Sequence, residues 1–482
     1  MLNIRFIINL FALVLVFLSF FMLLCGLVAI GYGEYDSEAL FISSAITFVS
    51  GFFPWLFTRK VKKDLIKREG YIVVTLVWIV ISIFATLPYI LSGTIVSFTD
   101  AFFEAMSGFT TTGSSILTDV EALPHGILLW RSTTHFLGGM GVVVLAVAVL
   151  PYFGFGGMQL YSAEAAGVTH DKLHPRITQT AKSLWGIYVF LTAVLIGLLL
   201  LGGMNLFDAV CHSFGTMASG GFSTKNASFV NYSPYIQYVV SIFMVIAGMN
   251  FTLFYFVWKG QFKNVIHNGE LNVYLRIVLL SSVVIAISLC MLYDYDVEKS
   301  FRTALFQVTS IISSTGFFSE DYLYWHPALI FILFLLFFSG ACAGSTAGGI
   351  KIMRHHIMFR NSRLEFRRMI HPMAVIPLKL GGKTVPKEII YKVLAFVMVY
   401  MLIFALGALG LTFLGLDIDS AMSASASSMG NVGLGMGSVG PVFGFASVPD
   451  AGKWIMSFLM FLGRLELFSV LILLSPDFWR NK

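Results

Sequence analysis

Residues 100–113 read DAFFEAMSGFTTTG, and the fold turns on how that stretch is understood. It lies between two long apolar runs, yet it closes on three threonines and a glycine. Non-helical, polar backbone is tolerated at membrane depth only where it is buried in protein or lines a water-filled cavity. The same fourteen-residue pattern returns as DAVCHSFGTMASGG (208–221), TALFQVTSIISSTG (303–316) and SAMSASASSMGNVG (420–433). Each copy has Ala second (Ala101, Ala209, Ala304, Ala421) and Gly last (Gly113, Gly221, Gly316, Gly433), the glycines recurring at intervals of 108, 95 and 117 residues. One T-x-G carries no weight. Four at a single offset are an internal repeat, whereas outer loops with accidental glycines would have no reason to keep it.

The setting of the repeats is a membrane. The 482 residues are 57% hydrophobic and only 12% charged, about half the charged fraction of an ordinary soluble domain. Ten apolar runs are long enough to cross a bilayer core of ~20 residues: 5–31, 38–58, 70–93, 126–151, 183–204, 234–258, 272–293, 327–350, 389–415 and 453–475. The first reads as a retained helix, because its apolar run is too long for a signal peptide and no small-residue cleavage site follows. With the N-terminus inside, ten crossings place 25 of the 31 Lys and Arg on the cytoplasmic side, in both tails and in 59–68, 172–182, 259–276 and 351–392. That is the side positive charge prefers, so the net charge of +6 calls for no nucleic acid. The acidic residues fall mostly outside, where a negative mouth would concentrate cations. Asp100, Asp208, Asp321 and Asp417 are among them.

The expected fold is therefore an all-α polytopic membrane protein. It has about ten transmembrane helices and four re-entrant helices, in fourfold pseudosymmetric helix–pore helix–helix units around one axis. Two leading helices (1–68) precede units at 69–178, 179–268, 269–372 and 373–482. About ten residues of helix rise ~15 Å, half a bilayer. Asp100 and Asp208 are expected to cap the outer helix ends. Each chain then returns outward as a strand whose carbonyls replace a cation's hydration shell, with glycine supplying the backbone angles that turn them inward.

Two further features lie inside the membrane. GACAGSTAGG, 340–349, should break the eighth crossing, and broken helices usually line pathways; close small-residue helix packing is the alternative. Arg464 in FLGRLELF costs ~2.5–3.5 kcal/mol or more in hydrocarbon, so it should face protein. Its neighbour two residues on, Glu466, does not share its helix face. Glu104 and His212 occupy equivalent places in their short helices and read as buried hydrogen-bonding residues. Arg131 reads as an outer-interface residue beside Trp130. His170, His174, His355, His356 and His371 read as solvated loop residues. Cys25, Cys211, Cys290 and Cys342 have neither disulfide nor metal-ligand spacing, and no nucleotide-binding glycine motif is present. A lipid-modifying enzyme would need clustered His, Asp or Glu at depth, but Glu104, His135, His212, Arg464 and Glu466 are scattered over different units.

In TDAFFEAMSGFTTTG (99–113), FLGGMGVVVLAVAVLP (136–151), GGMQLYSAE (156–164), ACAGSTAGG (341–349) and FLGRLELFSVLILL (461–474), the chain resembles the Trk/Ktr/HKT superfamily of potassium transporters. The bacterial members are the most similar, and the likeness spans nearly the whole length. The resemblance implies K+ uptake through one chain, with no organic cofactor in it. It assigns the selectivity filter to Thr111, Thr112, Gly113, Ser219, Gly220, Gly221, Ser314, Thr315, Gly316, Asn431, Val432 and Gly433. Four filter glycines go with potassium preference, whereas some plant relatives with Ser in the first copy favour sodium. Asn431 departs from the T-x-G form, at a place where the family varies. The gate is implied at Gly340, Ala343, Gly344, Ser345, Thr346, Gly348, Gly349 and Arg464. A homodimer, a cytosolic ring of nucleotide-binding TrkA-type subunits, membrane lipid and a bacterial inner membrane with both termini cytoplasmic are implied likewise. Sodium or ammonium remain the alternative ions.

Overall fold

The computed structural model describes residues 3–59, 67–149, 177–380 and 383–480. His170, His174, the stretch GGMQLYSAE and part of the 59–68 basic run lie outside the described residues.

Two leading helices, Ile4–Tyr32 and Asp36–Thr58, form a hairpin joined at Gly33, which takes φ 70°. Four units of one plan follow. Each has a long helix, a short helix, an outward strand and a second helix. The long helices are Lys67–Leu91, Ile177–Leu201, Gly269–Tyr293 and Lys387–Phe413. These four and the two leading helices are each long and apolar enough to cross a bilayer. They leave large apolar side chains such as Phe17, Leu280, Met398 and Phe413 exposed. Water would penalise that surface and lipid does not, so the chain is a polytopic membrane protein.

The expected ten crossings are not all single rods. Of the four second helices, only His125–Val149 runs straight through its described length. The run 234–258 is two helices, Pro234–Ala247 and Phe251–Trp258, bent by 97°, because Asn250 leaves the helix to cap the second piece at Thr252 N. The run 453–475 is Asp450–Arg464 and Phe468–Leu474, bent by 116° where Glu466 and Leu467 adopt left-handed φ of 56° and 52°. The run 327–350 is helical only over Pro327–Leu336, after which Ser339–Gly340 pairs in parallel with Ile350–Lys351 and the chain between them forms a loop.

The short helices are Phe98–Phe109, Leu206–Ala218, Val297–Ile312 and Ile418–Gly430, of 12, 13, 16 and 13 residues. At 1.5 Å per residue they rise roughly 18–24 Å, short of the ~30 Å hydrocarbon core. Asp100 and Asp208 are not their caps. The capping oxygen reaches a free N–H two or three residues on: Ser97 caps Asp100 N and Asn205 caps Asp208 N, as Asp417 caps Ser420 N. The two aspartates sit in the first turn, where they still suit the helix dipole. Asp100 pairs with Lys453, and Asp208 accepts from Thr224 Oγ1 at 2.6 Å.

His355 and His356 are also placed differently from the solvated loop expected. Both lie half-buried on the helix Ile352–Ile370, and His355 Nε2 is 3.0 Å from Phe338 O. His371 is exposed, as a loop residue should be.

Candidate ion pathway

After each short helix the backbone repeats one conformation. Thr111, Ser219, Ser314 and Asn431 are left-handed, with φ of 51°, 56°, 52° and 52°. The glycines two residues later have φ of 84°, 84°, 82° and 83°. Left-handed backbone is rare for Thr and Ser, and here it occurs at the same place four times. The residue between them keeps its N–H occupied: Thr112, Gly220, Thr315 and Val432 donate to Ser107 O, Gly215 O, Ser310 O and Ser427 O at 2.8–2.9 Å. Their carbonyls, and those of the flanking residues, accept no hydrogen bond within the described residues. Buried carbonyls normally have a partner.

The glycines show how the four strands meet. A Cβ on Gly113 would stand 2.1 Å from Gly220 O, one on Gly221 2.1 Å from Thr315 O, one on Gly316 2.1 Å from Val432 O, and one on Gly433 2.1 Å from Thr112 O. Each glycine therefore lies against the carbonyl of the next unit, and the fourth returns to the first. The four carbonyls form a closed ring. Asn431 Nδ2 adds a bond across the same closure, to Thr112 Oγ1 at 3.0 Å.

Outside the ring is a cavity of about 540 Å³ lined by all four glycines. Its charged lining is Arg131, Lys225 and Asp321, so the negative mouth expected from the sequence is not gathered here. Several of the outer acids are engaged elsewhere. Glu34 and Asp36 bind His125 and the N–H of Ile127 at the start of the helix His125–Val149. Asp119 accepts from Asn226 Nδ2, which holds its carboxyl below the usual range.

Behind the ring, the residue nine before each glycine is Glu104, His212, Gln307 or Ala424. Glu104 accepts from Ser115 Oγ at 3.0 Å and Ile116 N at 3.1 Å, and pairs with Arg131 Nε at 2.8 Å. Arg131 is thus no interface residue. It is 2% exposed and lies 4.1 Å over the Phe222 ring. His212 donates from Nδ1 to Asp208 O and faces Ser223 Oγ with Nε2, while Gln307 donates to Glu320 O. Three units therefore tie the outgoing strand to its short helix at the same position. His135 does so between units, donating from Nδ1 to Gly108 O and accepting Phe222 N at Nε2. Removing one partner of a buried ion pair costs about 3–5 kcal/mol. Glu104→Gln should therefore lower the detergent-solubilised protein's thermal unfolding midpoint clearly; an unchanged midpoint would mean the pair does not hold the strand.

Beneath the ring lies the 340–349 loop. Ala343 N donates to Glu270 Oε1 at 2.7 Å, Gly344 O accepts from Phe251 N, and Ser345 Oγ donates to Cys342 O. Gly344 and Gly349 have φ of 72° and 69°. Gly340 sits on the short strand and has no room for a Cβ, which would stand 2.0 Å from Gly348 O. Thr346 Oγ1 is 2.8 Å from Ser219 Oγ, and Gly348 N donates to Ser314 Oγ at 2.7 Å. Arg464, 5% exposed, donates to Thr346 O at 2.6 Å and to Gly138 O at 3.1 Å. Glu466 pairs instead with Arg354 at 2.5 Å. The loop's anchors Glu270, Asn250 and Lys351, whose Nζ donates to Ala347 O, escaped the sequence reading. Glu270 and Lys351 sit at span ends and look like ordinary interfacial charges. No three His, Cys, Asp or Glu among the described residues could hold a metal ion.

Comparisons with known proteins bear on the family and the fold. A family model described as TrkH, cation transport protein, matches residues 36–480. The Trk system potassium uptake protein TrkH of Halomonas elongata is 38% identical over 99% of this chain and 100% of its own length. Its namesake from Escherichia coli K12 is 38% identical over 97% and 98%. The crystal structure of the potassium transporter TrkH from Vibrio parahaemolyticus superposes with a TM-score of 0.92 at 36% identity, covering 99% of this chain and all of that one.

Proposed function

The chain belongs to the TrkH family of cation transport proteins, and from that premise we propose that it is a potassium-uptake pathway of a bacterial inner membrane, with both termini cytoplasmic. The observation that carries this reading is the closed ring of carbonyls, each backed by the glycine of the preceding unit. Four buried, unshared carbonyls offer a dehydrated cation what water would. The ring would be served by the backbone of Thr111, Thr112, Gly113, Ser219, Gly220, Gly221, Ser314, Thr315, Gly316, Asn431, Val432 and Gly433. The four units, 69–178, 179–268, 269–372 and 373–482, would each contribute one quadrant.

The 340–349 loop and Arg464 serve as the gate. A guanidinium below the ring repels a descending cation, and the loop fills the space beside it. Uptake is driven by the membrane potential, ~2.3 kcal/mol per 100 mV for one charge. The relatives are named Trk system potassium uptake proteins, which supports a partner within such a system; the family resemblance makes that partner a cytosolic nucleotide-binding TrkA-type ring, engaged by a homodimer of this chain. The test is growth at limiting potassium in a bacterium lacking its own uptake systems, with a TrkA-type subunit co-expressed. Rescue is expected. Membrane-inserted protein that gives no rescue, or rescue abolished by ammonium rather than set by potassium, would overturn the assignment.

A further inference from the structure

The three charges that line the outer cavity are not equivalent. Arg131 is 2% exposed and its charge is matched by Glu104 at 2.8 Å. Asp321 is tied through Oδ1 to Leu323 N at 3.0 Å. Lys225 has a fixed backbone and a loose side chain. Its N–H donates to Ser223 Oγ at 2.9 Å, its carbonyl accepts Ser228 N at 3.1 Å, and the neighbouring Thr224 Oγ1 donates to Asp208 Oδ1 at 2.6 Å. It stands four residues after Gly221, and four residues of chain reach at most about 14 Å. Its side chain is 41% exposed, with Nζ 3.7 Å from Glu121 Oε2. Glu121 belongs to the first unit, and its Oε1 accepts Asn226 N at 3.1 Å. Lys225 is part of the cavity wall and Glu121 is not. The pair thus crosses the seam between two units with its cation on the pathway side. At that distance and exposure such a pair is weak.

We propose that the Lys225 ammonium sets how tightly potassium is captured at the outer mouth, by competing with the ion for the cavity, and that Glu121 tempers this by drawing the ammonium aside. The inference rests on the potassium-pathway reading above. A lysine ammonium is a compact single charge on a flexible stem. Drawn to Glu121, it has its field partly cancelled by the carboxylate. Released from Glu121, it repels an incoming cation across the space that cation must cross, and a cleft with low-dielectric walls focuses that field. The ring and all that lies beneath it stay as they are. The effect therefore falls on capture and leaves the maximal rate alone.

The test is initial potassium uptake, as a function of external potassium, in cells that lack their own uptake systems and co-express a TrkA-type subunit. Variants are compared at equal membrane abundance. External ionic strength is set with N-methylglucamine chloride at about 0.01 M and about 0.15 M, where the Debye lengths are ~30 and ~8 Å, and osmolarity is held with sorbitol. At the lower ionic strength Lys225→Met should reduce KM about fivefold, a modest share of what charged clefts achieve, with the maximal rate unchanged. The ratio of wild-type to variant KM should shrink towards one at the higher ionic strength. Lys225→Gln, neutral but of another shape, should match Lys225→Met. Glu121→Gln should raise KM about threefold where Lys225 is present, and should change it little in combination with Lys225→Met. Equal KM for the wild type and Lys225→Met at low ionic strength, a ratio indifferent to salt, disagreement between the two neutral variants, or a Glu121→Gln shift of the same size with and without Lys225 would each overturn the inference and leave the pathway standing. Absence of potassium uptake by the wild type would overturn both.

Discussion

Gly113→Ser should abolish potassium uptake, by at least a hundredfold, or turn the pathway towards sodium. Two physical costs coincide at this residue. Its φ of 84° is open to glycine and strained for any residue with a side chain, at about 1–3 kcal/mol. The added Cβ would also stand 2.1 Å from Gly220 O, well inside contact distance. That carbonyl belongs to the ring itself, so relief of the clash moves a ligand. Each ~1.4 kcal/mol is tenfold in rate, and the two costs together reach the expected loss. Gly197→Ser is the control: it is helical, and a Cβ there would meet nothing within 4 Å. Growth and isotope uptake of the two variants at equal membrane abundance decide the matter. If Gly113→Ser transports potassium as well as Gly197→Ser, the ring does not line the path.

Arg464→Ala should do the opposite and let potassium leak. Arg464 is buried and donates to carbonyls, Thr346 O and Gly138 O. Its removal strands no buried charge, whereas Glu104→Gln leaves the Arg131 guanidinium without its carboxylate, so the fold should survive. What is lost is a positive charge beneath the ring and a clasp on the loop. Flux into proteoliposomes without any regulatory partner should rise about tenfold, the effect of losing ~1.4 kcal/mol of barrier. Arg464→Lys, which keeps the charge but not the planar fork, should fall between. Flux unchanged in Arg464→Ala would remove the residue from the gate.

The fold was legible in the sequence chiefly because it is written four times. The equal offsets of Gly113, Gly221, Gly316 and Gly433 locate the strands, and GACAGSTAGG announces the break after Leu336. Local signals near a helix end were readable but easily misplaced. Asp100 and Asp208 looked like caps because Ser97 and Asn205 stand just outside the fourteen-residue pattern. The bend at Asn250 had a cue in Gly248 and Asn250. The bend at Glu466 and Leu467 had none, since neither left-handed residue is a glycine, and it coincides with the long-range pair of Glu466 with Arg354. The Glu104–Arg131 pair was hidden for the same reason: its members are 27 residues apart, on different helices, and meet only once the first unit has folded. Contacts set by tertiary closure leave no periodic trace.

The ring is built from four stretches of one polypeptide. An assembly of identical subunits would receive every substitution in quadruplicate, and no quadrant could change alone. Here the position nine before the glycine has become Glu, His, Gln and Ala, each with different surroundings, while the glycines have stayed alike. The 340–349 loop breaks the helix of a single quadrant and reaches under three of the four, which a strictly symmetric assembly would have to crowd with four copies. Covalent linkage of the quadrants thus gives each one independent variability, and with it the means to keep a symmetric ring above an asymmetric floor.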